Sequence, residues 1–243
     1  MVPLQSGSDA VKQLRFILIL PLCRVLINCF KYVLAAAPKP DPTPTCKAII
    51  DLGFVLDSSG SLANDYHKEK DFLKALAGSF GISADGSRAG VVTFSSRAEH
   101  SIKMNEHVNI NSFNTAVDNI ALMGFQTRID IALRLTQKEL FAIQNGGRPN
   151  VQKILILLTD GSQTPTPGAE DPGDIADEIR NAGITVLVVG IGANTNPAEL
   201  KDMAGGNDDK VFSAKSFDEL VSADFISNIA GSTCVVGRCL FNQ

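Results

Sequence analysis

GFVLDSSGS, residues Gly53 to Ser61, is the stretch on which the fold turns. It continues an apolar run, Ile49 to Leu56, with one acid, Asp51, inside it. Such a short run reads as a buried strand. It stops at a second acid, Asp57, and three serines and a glycine follow. A strand of this kind delivers one carboxylate and a cluster of neutral oxygens to the edge of a sheet.

Working outward, further strands are expected at Ala89–Phe94, Val151–Leu158, Ile184–Val189 and Lys210–Ser213. The two longest, within VQKILILLTD and ITVLVVGIG, are continuous runs of Ile, Leu and Val. Runs apolar on both faces suit parallel strands covered by helices. Glu99–Met104 alternates more and fits an edge strand. Helical spacing joins Phe72, Leu73, Leu76, Ala77 and Phe80, then Phe113, Val117 and Ile120, then Ile129, Ala132 and Leu133. Ile175 and Ile179 mark a fourth helix, stopped by Gly183. Asn196-Pro197 reads as an N-cap followed by a first-turn proline. Ser216 with Glu219 matches a capping box and opens a last helix, running to Ile229. Strands alternating with helices predict one doubly wound α/β domain. Its central sheet should be mostly parallel, with one antiparallel edge strand and helices on both faces.

The bulk numbers agree with a globular chain: 243 residues, 44% hydrophobic, 20% charged. Net charge is −4 with no basic block, which argues against a nucleic-acid partner, since phosphate binding needs clustered Lys and Arg. PKPDPTPT, residues 38–45, reads as an extended linker. The folded domain should span 46–234, leaving 235–243 as a tail. Residues 1–37 contain an apolar run, Phe16 to Cys23, behind Lys12 and Arg15, with small residues at Ala35 to Ala37. That pattern reads as an imperfect signal peptide. A membrane anchor and a misassigned start are the alternatives, because Arg24, Asn28 and Lys31 interrupt the apolar stretch and Pro38 follows the last alanine.

Five cysteines sit at 23, 29, 46, 234 and 239, with no CxxC pair and no histidine nearby, so a zinc site is not expected. Cys46 and Cys234 flank the central region. They suggest a disulfide closing its ends if the chain is secreted, or else two free thiols. Cys239 is left to pair with a second chain, a route to self-association, or with nothing.

In an open α/β sheet, ligands collect at the carboxyl ends of the strands. Three loops there are of interest. The first carries Asp57, Ser59 and Ser61; the second, GFQTRID, carries Thr127; the third, LLTDGS, carries Asp160. All these groups are small oxygen donors, which suits a hard divalent ion such as Mg²⁺. If the carboxylates act mainly through water, the direct shell is nearly neutral. The ion then stays electrophilic and can accept an outside carboxylate. On the residue types alone the plain reading stands equally: hydroxyls capping helices and acids making turns.

Asp57-Ser58-Ser59-Gly60-Ser61 resembles the DxSxS signature of von Willebrand factor type A domains. Thr127 follows 70 residues later and Asp160 a further 33, in similar contexts to that family's metal-ion-dependent adhesion site. The resemblance covers about Cys46 to Cys234. It implies Mg²⁺ or Mn²⁺ at the top of the sheet, held by Ser59, Ser61 and Thr127 directly or nearly so, with Asp57 and Asp160 largely through water. It implies a partner protein of the extracellular matrix or cell surface, collagen among the candidates, whose acidic side chain completes the shell. The flanking cysteines are similar to those of matrilin and collagen-associated members. The expected function is a secreted adhesion module, or, if residues 1–37 act as an anchor, one displayed outside the membrane. The competing expectations are a structural matrix module that rarely uses the site, and a metal-dependent phosphohydrolase. The latter needs a second acid two residues after Asp57, where Ser59 stands.

Three other features carry less. Ser162–Gly173 either faces a partner or is a solvated loop. Phe125 and Arg128 flank Thr127 and either touch a ligand or are, respectively, a packed phenylalanine and a surface arginine. GIGANT, Gly190 to Thr195, has Thr195 where a dinucleotide loop needs its third glycine and is discounted.

Overall fold

A computed structural model describes residues 49–236, with side chains to 233. The N-terminal segment, the linker and Cys46 lie outside these residues, as does the side chain of Cys234, so the expected disulfide falls outside them too. Among the described residues no helix is long and apolar enough to cross a membrane.

Six strands form one sheet: β1 (Ile50–Asp57), β2 (Arg88–Phe94), β3 (Ala98–Ile102), β4 (Gln152–Thr159), β5 (Ile184–Ile191) and β6 (Val211–Ala214). Their order is β3-β2-β1-β4-β5-β6. Every pairing is parallel except β2 with β3. The expected strands are therefore present, each within two residues of its expected limits, and the alternating segment is the antiparallel edge.

The helices are α1 (Tyr66–Gly78), α2 (Ile110–Asp118), α3 (Ile129–Leu135), α4 (Pro172–Asn181), α5 (Pro197–Met203), α6 (Phe217–Leu220) and α7 (Ala223–Val236). Alternation along each strand divides the core in two. Leu52, Phe54 and Leu56 of β1, with Ile154, Ile156 and Leu158 of β4, pack under α1, α2, α6 and α7. Val55, Leu155 and Leu157 point the other way, under α3, α4 and α5. Both faces of the sheet are thus covered, which is why the strand sequences lack polar alternation.

The caps follow the sequence. Asn196 accepts from the N–H groups of Ala198 and Glu199 ahead of Pro197, and Ser216 accepts from Glu219 N–H. One expectation needs correction. The last helix is not continuous from Ser216 to Ile229: α6 ends at Leu220, and α7 begins at Ala223. Ser222 lies between them, its hydroxyl accepting from Phe225 N–H at 3.3 Å. The hydroxyl supplies a new N-terminal cap and so permits the break.

Asp51, the acid inside β1, is fully buried and bound by Arg148 from the segment before β4. Gly53 on the same strand makes room for side chains. A Cβ there would lie 2.6 Å from the Phe141 ring and 2.7 Å from Leu140. Leu140 ends a single π-helical turn, Thr136–Leu140, and Phe141 follows it. Gly53→Ala is expected to cost about 1–3 kcal/mol through overpacking. Its urea midpoint should fall at unchanged slope; an unchanged midpoint would contradict this packing. Gly190, in the discounted glycine-rich stretch, has the same use, with Leu200 against it.

Candidate functional site

β1 is followed by α1 on one face, and its neighbour β4 by α4 on the other. Between two such strands the chain leaves in opposite directions, opening a crevice at their carboxyl ends. Asp57 is the last residue of β1, and Asp160 comes directly after β4.

The first loop is held open by its own backbone. Ser59 N–H donates to Asp57 Oδ1 at 2.9 Å, and Ser58 N–H to the carbonyl of Phe94 at 2.7 Å. Ser59 Oγ lies 3.2 Å from Ser61 Oγ, and the Ser61 hydroxyl donates to Asp160 Oδ1 at 2.9 Å. Four of the five expected residues are therefore linked by short polar contacts across two loops. Thr127 joins from the second loop: a Cβ added to Gly161 would lie 3.8 Å from Thr127 Oγ1. Its backbone is fixed by Thr164, whose hydroxyl accepts from Thr127 N–H at 3.1 Å and whose N–H donates to the Thr127 carbonyl at 2.8 Å.

Burial pushes the Asp57 carboxyl up to about 6, against hydrogen bonds from Thr159 and Ser59 that favour its charge; the nearby Asp160 charge raises it further. Burial also raises Asp160, partly opposed by the Ser61 hydroxyl. Among the described residues, no lysine, arginine or histidine forms an ion pair with either acid. Two buried carboxylates without a cationic partner are unstable as charges unless a cation is brought to them. No cluster of three or more His, Cys, Asp or Glu suited to a metal exists among the described residues. Any ion here would therefore have to be held largely by hydroxyls, as the serines and Thr127 allow.

Several residues around the site escape a reading by motif. Thr159 is buried and donates to Asp57 Oδ2 at 2.7 Å. Its place next to Asp160 at a strand end was the available signal. Glu69 on α1 is fully buried, and neither carboxyl oxygen has a hydrogen-bond partner. Burial holds it well above the usual carboxylate range, and the charges of Asp57 and Asp160 add to this. Its position three residues before Phe72 and four before Leu73 puts it on the buried stripe, so helical spacing marks it as inward-facing. Gln163 accepts from the N–H groups of Ile129 and Asp130 and donates to Asp130 Oδ1. Part of the Ser162–Gly173 segment thus packs against the Thr127 loop instead of standing free in solvent. Arg128 turns to Asp130, with contacts of 2.8 and 2.7 Å. Phe125 is not packed: it is 80% exposed.

Residues 51–225 match the family described as the von Willebrand factor type A domain. The chain belongs to that family. The vWA domain is 32% identical over 190 residues to a collagen alpha-5(VI) chain of Mus musculus, covering 78% of this chain and 7% of that one. It is 32% identical over 157 residues to von Willebrand factor A domain-containing protein 2 of Xenopus laevis, covering 64% and 19%. The chain thus spans less than a fifth of the length of either relative. Among solved structures, proximal thread matrix protein 1 of the mussel byssus superposes with a TM-score of 0.72 at 28% identity, covering 78% of this chain and 49% of that one. One structure of that protein has a zinc-occupied MIDAS motif. The manganese-loaded TRAP protein of Plasmodium vivax shares the fold, with a TM-score of 0.59 at 23% identity, covering 74% of each chain.

Proposed function

We propose that this vWA domain is an extracellular adhesion module. It binds an acidic side chain of a matrix or cell-surface protein, collagen among the candidates, through Mg²⁺ or Mn²⁺. The carrying observation is the meeting of two buried carboxylates, Asp57 and Asp160, that no basic side chain among the described residues pairs, with the hydroxyls of Ser59 and Ser61. In this reading Ser59, Ser61 and Thr127 hold the ion directly, and Asp57 and Asp160 hold it largely through water. When bound, the ion supplies an electrophilic position for a carboxylate from outside. The chain's own residues set that position. Thr159 and Ser59 N–H fix the two Asp57 oxygens, Ser61 fixes Asp160, and Thr164 fixes the Thr127 loop. Kinship with collagen VI chains and a byssus matrix protein supports the extracellular setting. Secretion by way of residues 1–37 and a Cys46–Cys234 disulfide belong to the same proposal.

Titration calorimetry of the full chain with MgCl₂ and MnCl₂ should show uptake of about one ion. Retention of the chain on extracellular-matrix extract should be lost in chelator. No uptake of either ion rejects the reading. Uptake with chelator-insensitive retention would favour a structural matrix module. Hydrolysis of a phosphomonoester would favour the phosphohydrolase, although Ser59 stands where the second acid would be needed.

A further inference from the structure

Residues Ile120 to Phe125, IALMGF, form an irregular loop made wholly of apolar residues and glycine. Leu122 is 37% and Phe125 80% exposed. Phe125 also holds φ at +70°, the only non-glycine among the described residues in the left-handed region. A bulky side chain there is strained. The ring is too exposed for burial to offset that strain.

The backbone is clamped in place from the metal-binding loop. Gly60 N–H donates to the Phe125 carbonyl at 3.0 Å, and Gly124 N–H to the Ser58 carbonyl at 2.8 Å. Met123 N–H donates to Ser58 Oγ at 2.8 Å. The ring therefore stands on a fixed backbone at the rim of the crevice that holds Asp57 and Asp160. Ile120, Leu122 and Met123 of the same loop line one side of a cleft of about 860 Å³, whose lining toward the edge strand β3 is polar, with Arg97, Glu99, Ser101 and His107. The loop is thus an apolar border between the carboxylate crevice and a largely polar cleft.

Glycine would relieve the strain at 125 and would expose no aromatic ring. Phenylalanine there makes sense if another molecule covers it. Continuity with the carboxylate site fixes what that molecule is. We infer that Phe125 is a specificity-determining contact residue, with the exposed Leu122 of the same loop near it in sequence as a second apolar group. The partner protein carries an apolar side chain within one or two positions of the acid that reaches the metal. This rests on the metal-dependent reading above.

The test uses immobilised pentapeptides with a central glutamate and randomised flanks, probed with the full chain in Mg²⁺ and in chelator. Wild-type chain should retain peptides enriched in Leu, Ile, Met or Phe beside the glutamate, only in Mg²⁺. Phe125→Gly and Phe125→Asn both tolerate the left-handed backbone. They should melt at or above the wild-type temperature and take up Mg²⁺ with unchanged affinity. They should lose on the order of tenfold in affinity for apolar-flanked peptides and nothing for serine-flanked ones. Metal uptake with no apolar preference in the wild type, or a preference that survives both substitutions, overturns the inference while leaving the metal site standing. Absence of metal uptake in the wild type removes both.

Discussion

Asp57→Asn is expected to abolish magnesium uptake and, in chelator at pH 7, to raise the melting temperature. The carboxyl sits at the end of β1 with its pKa pushed up to about 6 from 3.8, chiefly by burial. A raised carboxyl means that the folded state holds its proton more tightly than the unfolded chain does. Stability from this group is therefore full below about pH 4 and is lost as pH rises through 6. At roughly 1.4 kcal/mol per pKa unit, the metal-free domain gives up about 3 kcal/mol by pH 7. A bound divalent ion reverses the balance by favouring the charged form. Asparagine keeps the shape and the acceptor for Ser59 N–H but carries no charge, so it escapes the penalty and loses the ion. Glu69 is raised as well, so the pH dependence of the variant should shrink without vanishing. Thermal melts in EDTA across pH 4–7, beside calorimetry with MgCl₂, read both effects. Unchanged Mg²⁺ affinity, or a lower melting temperature at an unchanged pH slope, would refute this account.

Arg148→Ala should be the most damaging change far from the loops. Asp51 is fully buried, and Arg148 grips it from Nε at 2.8 Å and from its backbone N–H at 2.7 Å. The same guanidinium bonds the carbonyls of Gly86 at 2.9 Å and Ile50 at 3.1 Å. Truncation leaves the Asp51 charge buried with the backbone N–H but without its cationic partner, which costs about 3–5 kcal/mol. For a domain of this size that is a drop on the order of 10 °C in melting temperature. Asp51→Leu combined with Arg148→Met should recover much of the loss, because no charge is then stranded. Asp51 lies six residue steps along the strand from Asp57, about 20 Å, so Mg²⁺ affinity should be unaffected. A single variant that melts within about 2 °C of wild type would contradict the buried-pair account.

The sheet was legible because its strands are apolar on both faces, a pattern that helices rarely share at that length. Asp57, Ser59, Ser61, Thr127 and Asp160 were legible because each lies where a strand or loop must end, in polar company. Glu69 was hidden by its charge, although Phe72 and Leu73 one turn later show that it faces inward. The break at Ser222 was hidden because Phe217 to Ile229 offers a helix apolar contacts on both sides of it; only the serine hydroxyl, capping Phe225, ends one helix and starts another. Phe125 misleads for a different reason. Aromatic residues ordinarily avoid a positive φ, so nothing in its type announces the strained, exposed conformation it adopts.

The pairing of Thr127 with Thr164, and of Gln163 with Ile129 and Asp130, has a mechanical consequence. Five hydrogen bonds, joined by a sixth from Glu170 N–H to Asp130 Oδ2 at 3.2 Å, rivet two stretches of chain that are more than 30 residues apart in sequence. Neither stretch can slide without shearing the other, so they form a single jaw. The Thr127 loop opens α3 and the riveted segment opens α4, two helices on the same face of the sheet, so any shift of Thr127 must be shared by the starts of both.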